Sequence, residues 1–144
     1  MSLDRAGIEC RVPQRGTMCL LDAVVDWDTT RIHCTAAAPG PKHPLARGNR
    51  VPAVVAIEYA AQATAVHGAL LEAAATPRAG LLAKLTEVHL HTDWLSSDGE
   101  ALDVRAERLG HSAAGCRYRF EVTSGQQVVA DGRLMVAFVS PDTP

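Results

Sequence analysis

Glu58 is the one ionisable acid inside a long, weakly charged apolar run, Val51 to Leu71, in a chain of 144 residues. Burying a carboxylate is costly unless it is paired or protonated, and burial lifts its pKa toward neutrality. A general acid needs that property. A structural carboxyl satisfied by a backbone group would occupy the same place, so Glu58 alone leaves both readings open. Gln62 follows four residues later, on the same helix face, where it can orient Glu58 or satisfy a buried amide. His43 precedes the run in the stretch Pro39-Gly40-Pro41-Lys42-His43-Pro44, a loop able to aim an imidazole at a cleft. A lone loop histidine is equally a solvent-exposed one. Between them, the helix start at Ala53 and Val54 offers unpaired backbone N–H groups and the positive end of the helix dipole. Those would suit a developing thioester oxyanion. A base, an acid and an oxyanion site in one segment would be sufficient for β-elimination.

The other chemically suggestive residues read as structural. Glu87, His89, His91 and Asp93 alternate, so a strand would present them on one face as a plausible ligand set. Val88, Leu90 and Trp94 fill the opposite face, so the polar set is expected to face water and no metal is expected. His67 lies nine residues after Glu58, a rotation of about 180° at 100° per residue, and reads as a satisfied helix histidine. His111, beside Gly110 and Ser112, reads as a loop residue. Cys10, Cys19, Cys34 and Cys116 form no C-x-x-C pair and read as small buried hydrophobes. Ser112 and the cysteines sit in no nucleophile elbow, so covalent catalysis is not expected.

The elements that must position these residues follow from pattern and punctuation. Met18–Trp27 and Arg31–Ala37 read as strands joined through Asp28-Thr29-Thr30, after a turn at Pro13-Gln14-Arg15-Gly16. Pro52 to about Ala75 reads as a helix about 36 Å long, apolar almost all round and therefore buried. Thr76-Pro77-Arg78-Ala79-Gly80 ends it. Leu81–Trp94, Ala101–Leu109, Cys116–Thr123 and Gln127–Val139 read as strands, with turns at Ser97-Asp98-Gly99, Gly110–Gly115 and Ser124-Gly125. Two strands, one buried helix and four antiparallel strands imply an α+β fold, a sheet wrapped on a helix. Such a sheet's other face, and its edges, must meet solvent or a second subunit, and dimerisation is the economical answer.

The length fits one domain, residues 1–144, with 1–10 and 140–144 expected to be peripheral. The formal charge is −2, which argues against nucleic acid as a main partner. The opening MSLDRAGIEC has no apolar run of a signal peptide. Glu58, Gln62 and His67 make the apolar run a poor membrane span. The expectation is a cytoplasmic protein with no membrane association.

The run His43-Pro44 … Pro52-Ala53 … Ile57-Glu58-Tyr59 … Ala61-Gln62-Ala63 resembles the active-site signature of hot-dog 3-hydroxyacyl-(acyl carrier protein) dehydratases. The closer resemblance is to the dehydratase-like proteins of aryl polyene gene clusters. It is carried also by Pro13-Gln14-Arg15-Gly16-Thr17-Met18 and Leu20-Leu21-Asp22, and extends from about Arg11 to Phe138. His43 is followed by Pro44-Leu45 where the fatty acid enzymes have Phe-Pro, and Ala53 stands where they have glycine. The resemblance implies a hot-dog fold and dehydration of 3-hydroxyacyl thioesters to trans-2-enoyl thioesters. It implies that His43 takes the C2 proton and that Glu58, from a neighbouring subunit, protonates the departing hydroxyl. The Ala53 and Val54 amides would hold the thioester oxygen. No cofactor is implied beyond the phosphopantetheine arm of the carrier. Lys42, Arg47 and Arg50 flank the implied mouth, where they would steer an acidic carrier protein or simply solubilise the loop. The implied assembly is a homodimer or a heteromer with another hot-dog dehydratase. Two rival functions use the same residues: an acyl thioesterase in which Glu58 activates water, and a non-catalytic subunit that completes an active partner.

Overall fold

Apolar residues alternate along the strands, and this decides which face of the sheet meets the helix. In the computed structural model, which describes residues 2–12, 16–72, 80–95 and 99–138, the chain runs α1 (Arg5–Glu9), β1 (Ala23–Trp27), β2 (Arg31–Ala36), β3 (Val51–Pro52), α2 (Ala56–Glu72), β4 (Gly80–Leu90), β5 (Trp94–Leu95), β6 (Leu102–Ser112), β7 (Gly115–Ser124) and β8 (Gln127–Phe138). Single 3-10 turns lie at Gly16–Met18 and Ala53–Val55. Six strands form one antiparallel sheet in the order β1-β2-β6-β7-β8-β4, while β3 and β5 pair separately.

Ile32, Ala106, Phe120 and Gly132 are successive cross-strand partners, and so are Cys34, Val104, Val122 and Ala130. Both rows are buried. The register therefore places two apolar rows on one face of the sheet. Against them lies α2, with Ala56, Ala60 and Ala63 fully buried beside Tyr59 and Val66. Small side chains at this spacing let the helix backbone approach the sheet closely. The opposite sheet face carries the charged rows His33, Arg105, Glu121, Asp131 and Arg31, Glu107, Arg119, Arg133.

The α+β sheet on one central helix is as expected, and the differences from expectation have local causes. The strand expected from Met18 begins only at Ala23, because the preceding backbone bonds a side chain rather than a strand. Leu20 N–H donates to Gln62 Oε1 at 2.9 Å, and Gln62 Nε2 donates to the Met18 carbonyl at 2.8 Å. The strand expected to continue to Trp94 stops at Leu90; His91–Asp93 bend, and Trp94-Leu95 pair with Val51-Pro52. The helix expected from Pro52 opens as a 3-10 turn and is α-helical from Ala56 to Glu72. Its expected last residues, 73–75, the stop at 76–79, the turns at 13–15 and 97–98 and the tail at 140–144 lie outside the described residues.

Residues 2–10 do not lie at the periphery that was expected of the segment. Asp4 caps α1, its carboxylate accepting from Gly7 N–H at 3.0 Å, and Ile8 is fully buried. Arg5 ties the segment down by donating to Asp22 Oδ1 at 3.0 Å and to the carbonyls of Gly16 (2.9 Å) and Cys19 (2.6 Å). Cys19, Cys34 and Cys116 are buried as expected, whereas Cys10 is exposed. Burial alone pushes the Cys34 thiol up to about 12.

His67 is the satisfied helix histidine its position implied. It is fully buried, with Nε2 donating to the Asp28 carbonyl at 2.8 Å and Nδ1 2.7 Å from the Tyr118 hydroxyl. Burial lowers its pKa from the ordinary 6.5. The unfolded chain takes up a proton near pH 6.5 that the folded ring resists, so stability falls as pH drops through that value and is unaffected above it. Melting temperatures of the wild type and His67→Gln between pH 8 and 5 test this: the wild type should show the steeper acid-side decline.

Candidate active site

The loop before the helix is pinned by its own backbone. His43 N–H donates to the Gly40 carbonyl and Ala46 N–H to the His43 carbonyl, both at 3.0 Å. These turns fix where the His43 ring starts. Leu45 N–H donates to His43 Nδ1 at 3.0 Å, and His43 Nε2 lies 2.9 Å from the Tyr59 hydroxyl. A backbone N–H can only donate, so Nδ1 is the acceptor; the neutral ring then carries its proton on Nε2, assigned from these bonds. Burial lowers the His43 pKa, which favours that neutral ring. Both ring nitrogens thus have a partner, Nδ1 in Leu45 N–H and Nε2 in the Tyr59 hydroxyl.

Glu58 sits half-buried in the first turn of α2, and its Oε1 accepts from Gln62 Nε2 at 3.2 Å. Gln62 is only 1% exposed and is held at both ends of its amide by Leu20 and Met18. The amide therefore cannot flip, and it offers Glu58 a donor of fixed direction. The expected pairing of Gln62 with Glu58 and its expected alternative, service to a buried backbone group, are both realised.

The helix start corrects one expectation. Ala53 N–H donates to the Asp93 carbonyl at 2.9 Å, so it is consumed by the β3–β5 junction and is not an open oxyanion donor. Val54, 53% exposed, is the remaining residue of the expected amide pair. Lys42, Arg47 and Arg50 are all exposed. Arg47 and Arg50 bond each other's backbones across Gly48, whose φ of +65° suits a glycine turn, and the Arg50 guanidinium stacks 4.0 Å over the Trp94 ring.

Among the polar residues of the strand after the helix, a bulge breaks the expected alternation. The register slips between Thr86 and His89, and Glu87 adopts φ +53° and pairs with Arg133 at 3.1 Å. His89 and His91 both bond the Asp131 carboxylate, at 3.2 and 2.6 Å. The His91 bond is the main cause of Asp131's lowered pKa. Among the described residues no group of three or more His, Cys, Asp or Glu is arranged to hold a metal ion.

Sequence reasoning missed Tyr59 as the ring partner of His43, Asp93 as the sink for the Ala53 amide, and the Arg50–Trp94 stack. Only Tyr59 carried a signal, a phenol beside Glu58 in the helix motif. A groove of about 740 Å³ lies on the charged outer sheet face, lined by residues such as Arg31, His33, Arg105 and Asp131, and contains neither His43 nor Glu58.

Comparison with solved structures gives the architecture a name. The dehydratase heterocomplex ApeI:P from Xenorhabdus doucetiae superposes with a TM-score of 0.82 at 22% identity, over 93% of this chain and 91% of that one. A hypothetical thioesterase with coenzyme A from Streptococcus pneumoniae TIGR4 superposes with a TM-score of 0.62 at 8% identity, over 81% and 84%. The Escherichia coli PaaI protein of the phenylacetic acid degradation operon gives 0.56 at 15% identity, over 76% and 73%. These likenesses show the hot-dog fold. Comparison with curated proteins finds no match. Residues 6–143 match the family model described as ApeP-like, ApeP dehydratase. With nearly its whole length matched in this way, the chain belongs to the ApeP-like dehydratase family.

Proposed function

We propose that this dehydratase removes water from 3-hydroxyacyl groups carried on an acyl carrier protein, giving trans-2-enoyl thioesters in aryl polyene or related polyene or fatty acid synthesis. The observation that carries the reading is Glu58, a half-buried carboxyl held by a glutamine that is itself locked by two backbone bonds. Elimination requires a C2 proton to leave, a C3 hydroxyl to be protonated, and charge on the thioester oxygen to be held. Glu58 and His43 are the pair on which turnover depends, Gln62 orients Glu58, and the Val54 amide serves the oxyanion. The reaction is redox-neutral and draws no electrons from a cofactor. Lys42, Arg47 and Arg50 supply the positive rim that an acidic carrier would meet.

The site is completed by a second hot-dog chain. Among the described residues strand β4 is a sheet edge, paired with β8 alone, and Leu81, Leu82, Leu85 and Leu90 on it are 38–63% exposed. An apolar edge of this length in a soluble protein calls for a cover. The chain matched in ApeI:P has this fold and belongs to a dehydratase heterocomplex, which supports a dehydratase subunit as the occupant. Glu58 then reaches the substrate beside His43 of the neighbouring subunit.

Enoyl formation from a 3-hydroxyacyl carrier protein, followed by ultraviolet absorbance, tests the function. Glu58→Gln and His43→Ala should each lower kcat at least about 100-fold with unchanged melting; release of free thiol by the wild type would instead mark a thioesterase. Gln62→Leu should cost about 3 kcal/mol in urea unfolding, because Leu20 N–H and the Met18 carbonyl lose their buried partner. In sedimentation, Leu81→Asp with Leu85→Asp should dissociate the assembly; an active wild-type monomer would refute the shared site.

A further inference from the structure

Like charges crowd one part of the outer sheet face. Tyr118 points inward to His67 of α2, so alternation along β7 puts its neighbours Arg117 and Arg119 on the outer face. Arg119 and Arg133 are direct cross-strand partners, and the next row is Arg117, Met135 and Lys84. All four cations are exposed. Like charges placed directly opposite destabilise a sheet, yet these stand together in a chain of formal charge −2. Arg133 is ion-paired, with Glu87 at 3.1 Å. Lys84, Arg117 and Arg119 have no ion-pair or hydrogen-bond partner among the described residues. Glu107 lies opposite Arg119, but its carboxylate accepts from Arg31 at 3.0 Å.

A pocket of about 240 Å³ opens among these side chains. Lys84, Arg117 and Arg133 line it with Thr86 and Met135, and no acidic residue among the described ones does. The larger groove on the same face differs, because Arg105 and Arg119 share it with Glu107, Glu121 and Asp131. Two irregularities of register flank the smaller pocket: β6 bulges between Arg108 and Gly110, and β4 slips between Leu82 and Lys84. Bulges bend a strand and re-aim its side chains. A Cβ on Gly110 would stand 3.1 Å from Arg117 Nη2, so the absent side chain gives that guanidinium room to lie against β6.

We propose that this pocket binds a phosphate dianion, supplied as inorganic phosphate or as a small phosphate monoester. The guanidinium forks of Arg117 and Arg133 match pairs of phosphate oxygens, Lys84 adds a point charge, and the Thr86 hydroxyl is a further donor in the wall. Three cations less the Glu87 carboxylate leave two positive charges, which a dianion balances. The sheet stands between this pocket and Glu58 on α2, so a substrate arm reacting at Glu58 of the same chain does not supply the phosphate. The site is a second one, independent of the dehydratase reading. Its occupant joins Lys84 on the edge strand to Arg117 on β7 and Arg133 on β8, tying β4 to the sheet, and relieves the repulsion between the rows.

The test titrates the full chain with inorganic phosphate and with glycerol 3-phosphate, reading binding heat and melting temperature at an ionic strength held constant with chloride. At least one of the two should bind and raise the wild-type melting temperature, and the tighter one identifies the source. Lys84→Gln with Arg117→Gln should weaken that binding at least about tenfold. Arg105→Gln, on the same face but outside the pocket, should leave it unchanged. Because the double variant loses like-charge repulsion, it should melt no lower than wild type in chloride alone, so its lost response does not come from unfolding. A wild type that binds neither ligand overturns the proposal, and so does a double variant that binds as the wild type does. Binding weakened equally by Arg105→Gln marks general screening of surface charge and overturns it as well.

Discussion

The rest of the structure depends on one buried amide. Gln62 stands where a polar side chain is costly unless both ends are satisfied, and it is satisfied by backbone atoms more than forty positions earlier in the chain. That requirement fixes three things at once. The segment before β1 is held against α2 without a strand partner, the helix cannot rotate without leaving two buried backbone groups unpaired, and Glu58 one turn earlier receives a donor of fixed direction. Stability and the placement of the carboxyl are thus the same interaction, and neither can be altered alone.

A similar economy governs the helix start. The 3-10 turn at Ala53–Val55 is anchored when Ala53 N–H bonds Asp93, and Pro52 and Val51 pair with Trp94 and Leu95. This junction sets the angle at which α2 enters the sheet and brings Arg50 onto Trp94. It does so by spending the Ala53 amide within the chain. The bent His91–Asp93 segment supplies the carbonyl that takes it.

Features that depend on periodicity or on a contiguous motif could be read from the sequence. The central helix, the sheet strands, and the likeness carried by Ile57-Glu58-Tyr59 and Ala61-Gln62-Ala63 are all local patterns, and the structure keeps them; the turn expected over Gly110–Gly115 narrows to Ala113-Ala114, with His111 on β6 rather than in a loop because it pairs with Cys116. The satisfied state of His67 was also readable, because helix rotation turned it away from Glu58. Features that depend on which distant backbone group meets which side chain could not be read. The shortened β1 follows from Gln62, the truncated β4 from the pairing of Trp94 with Pro52, and the buried Ile8 from a capped single turn too short to show a period. The tautomer of His43 follows from a neighbour two residues away, yet it required knowing that the loop folds Leu45 N–H back onto the ring.

The slipped register on β4 has a consequence for how the sheet can grow. An unbroken exposed strand of eleven residues would offer a template along its whole length, and each added copy would present another. The irregularities at Leu82–Lys84 and Thr86–His89 divide that template into short segments, and the left-handed backbone at Glu87 twists its end out of line. A folded partner shaped to the bends can still seat there, whereas a flat, repeating array of strands cannot. The distortion next to the Asp131 clamp therefore separates finite assembly from fibre formation.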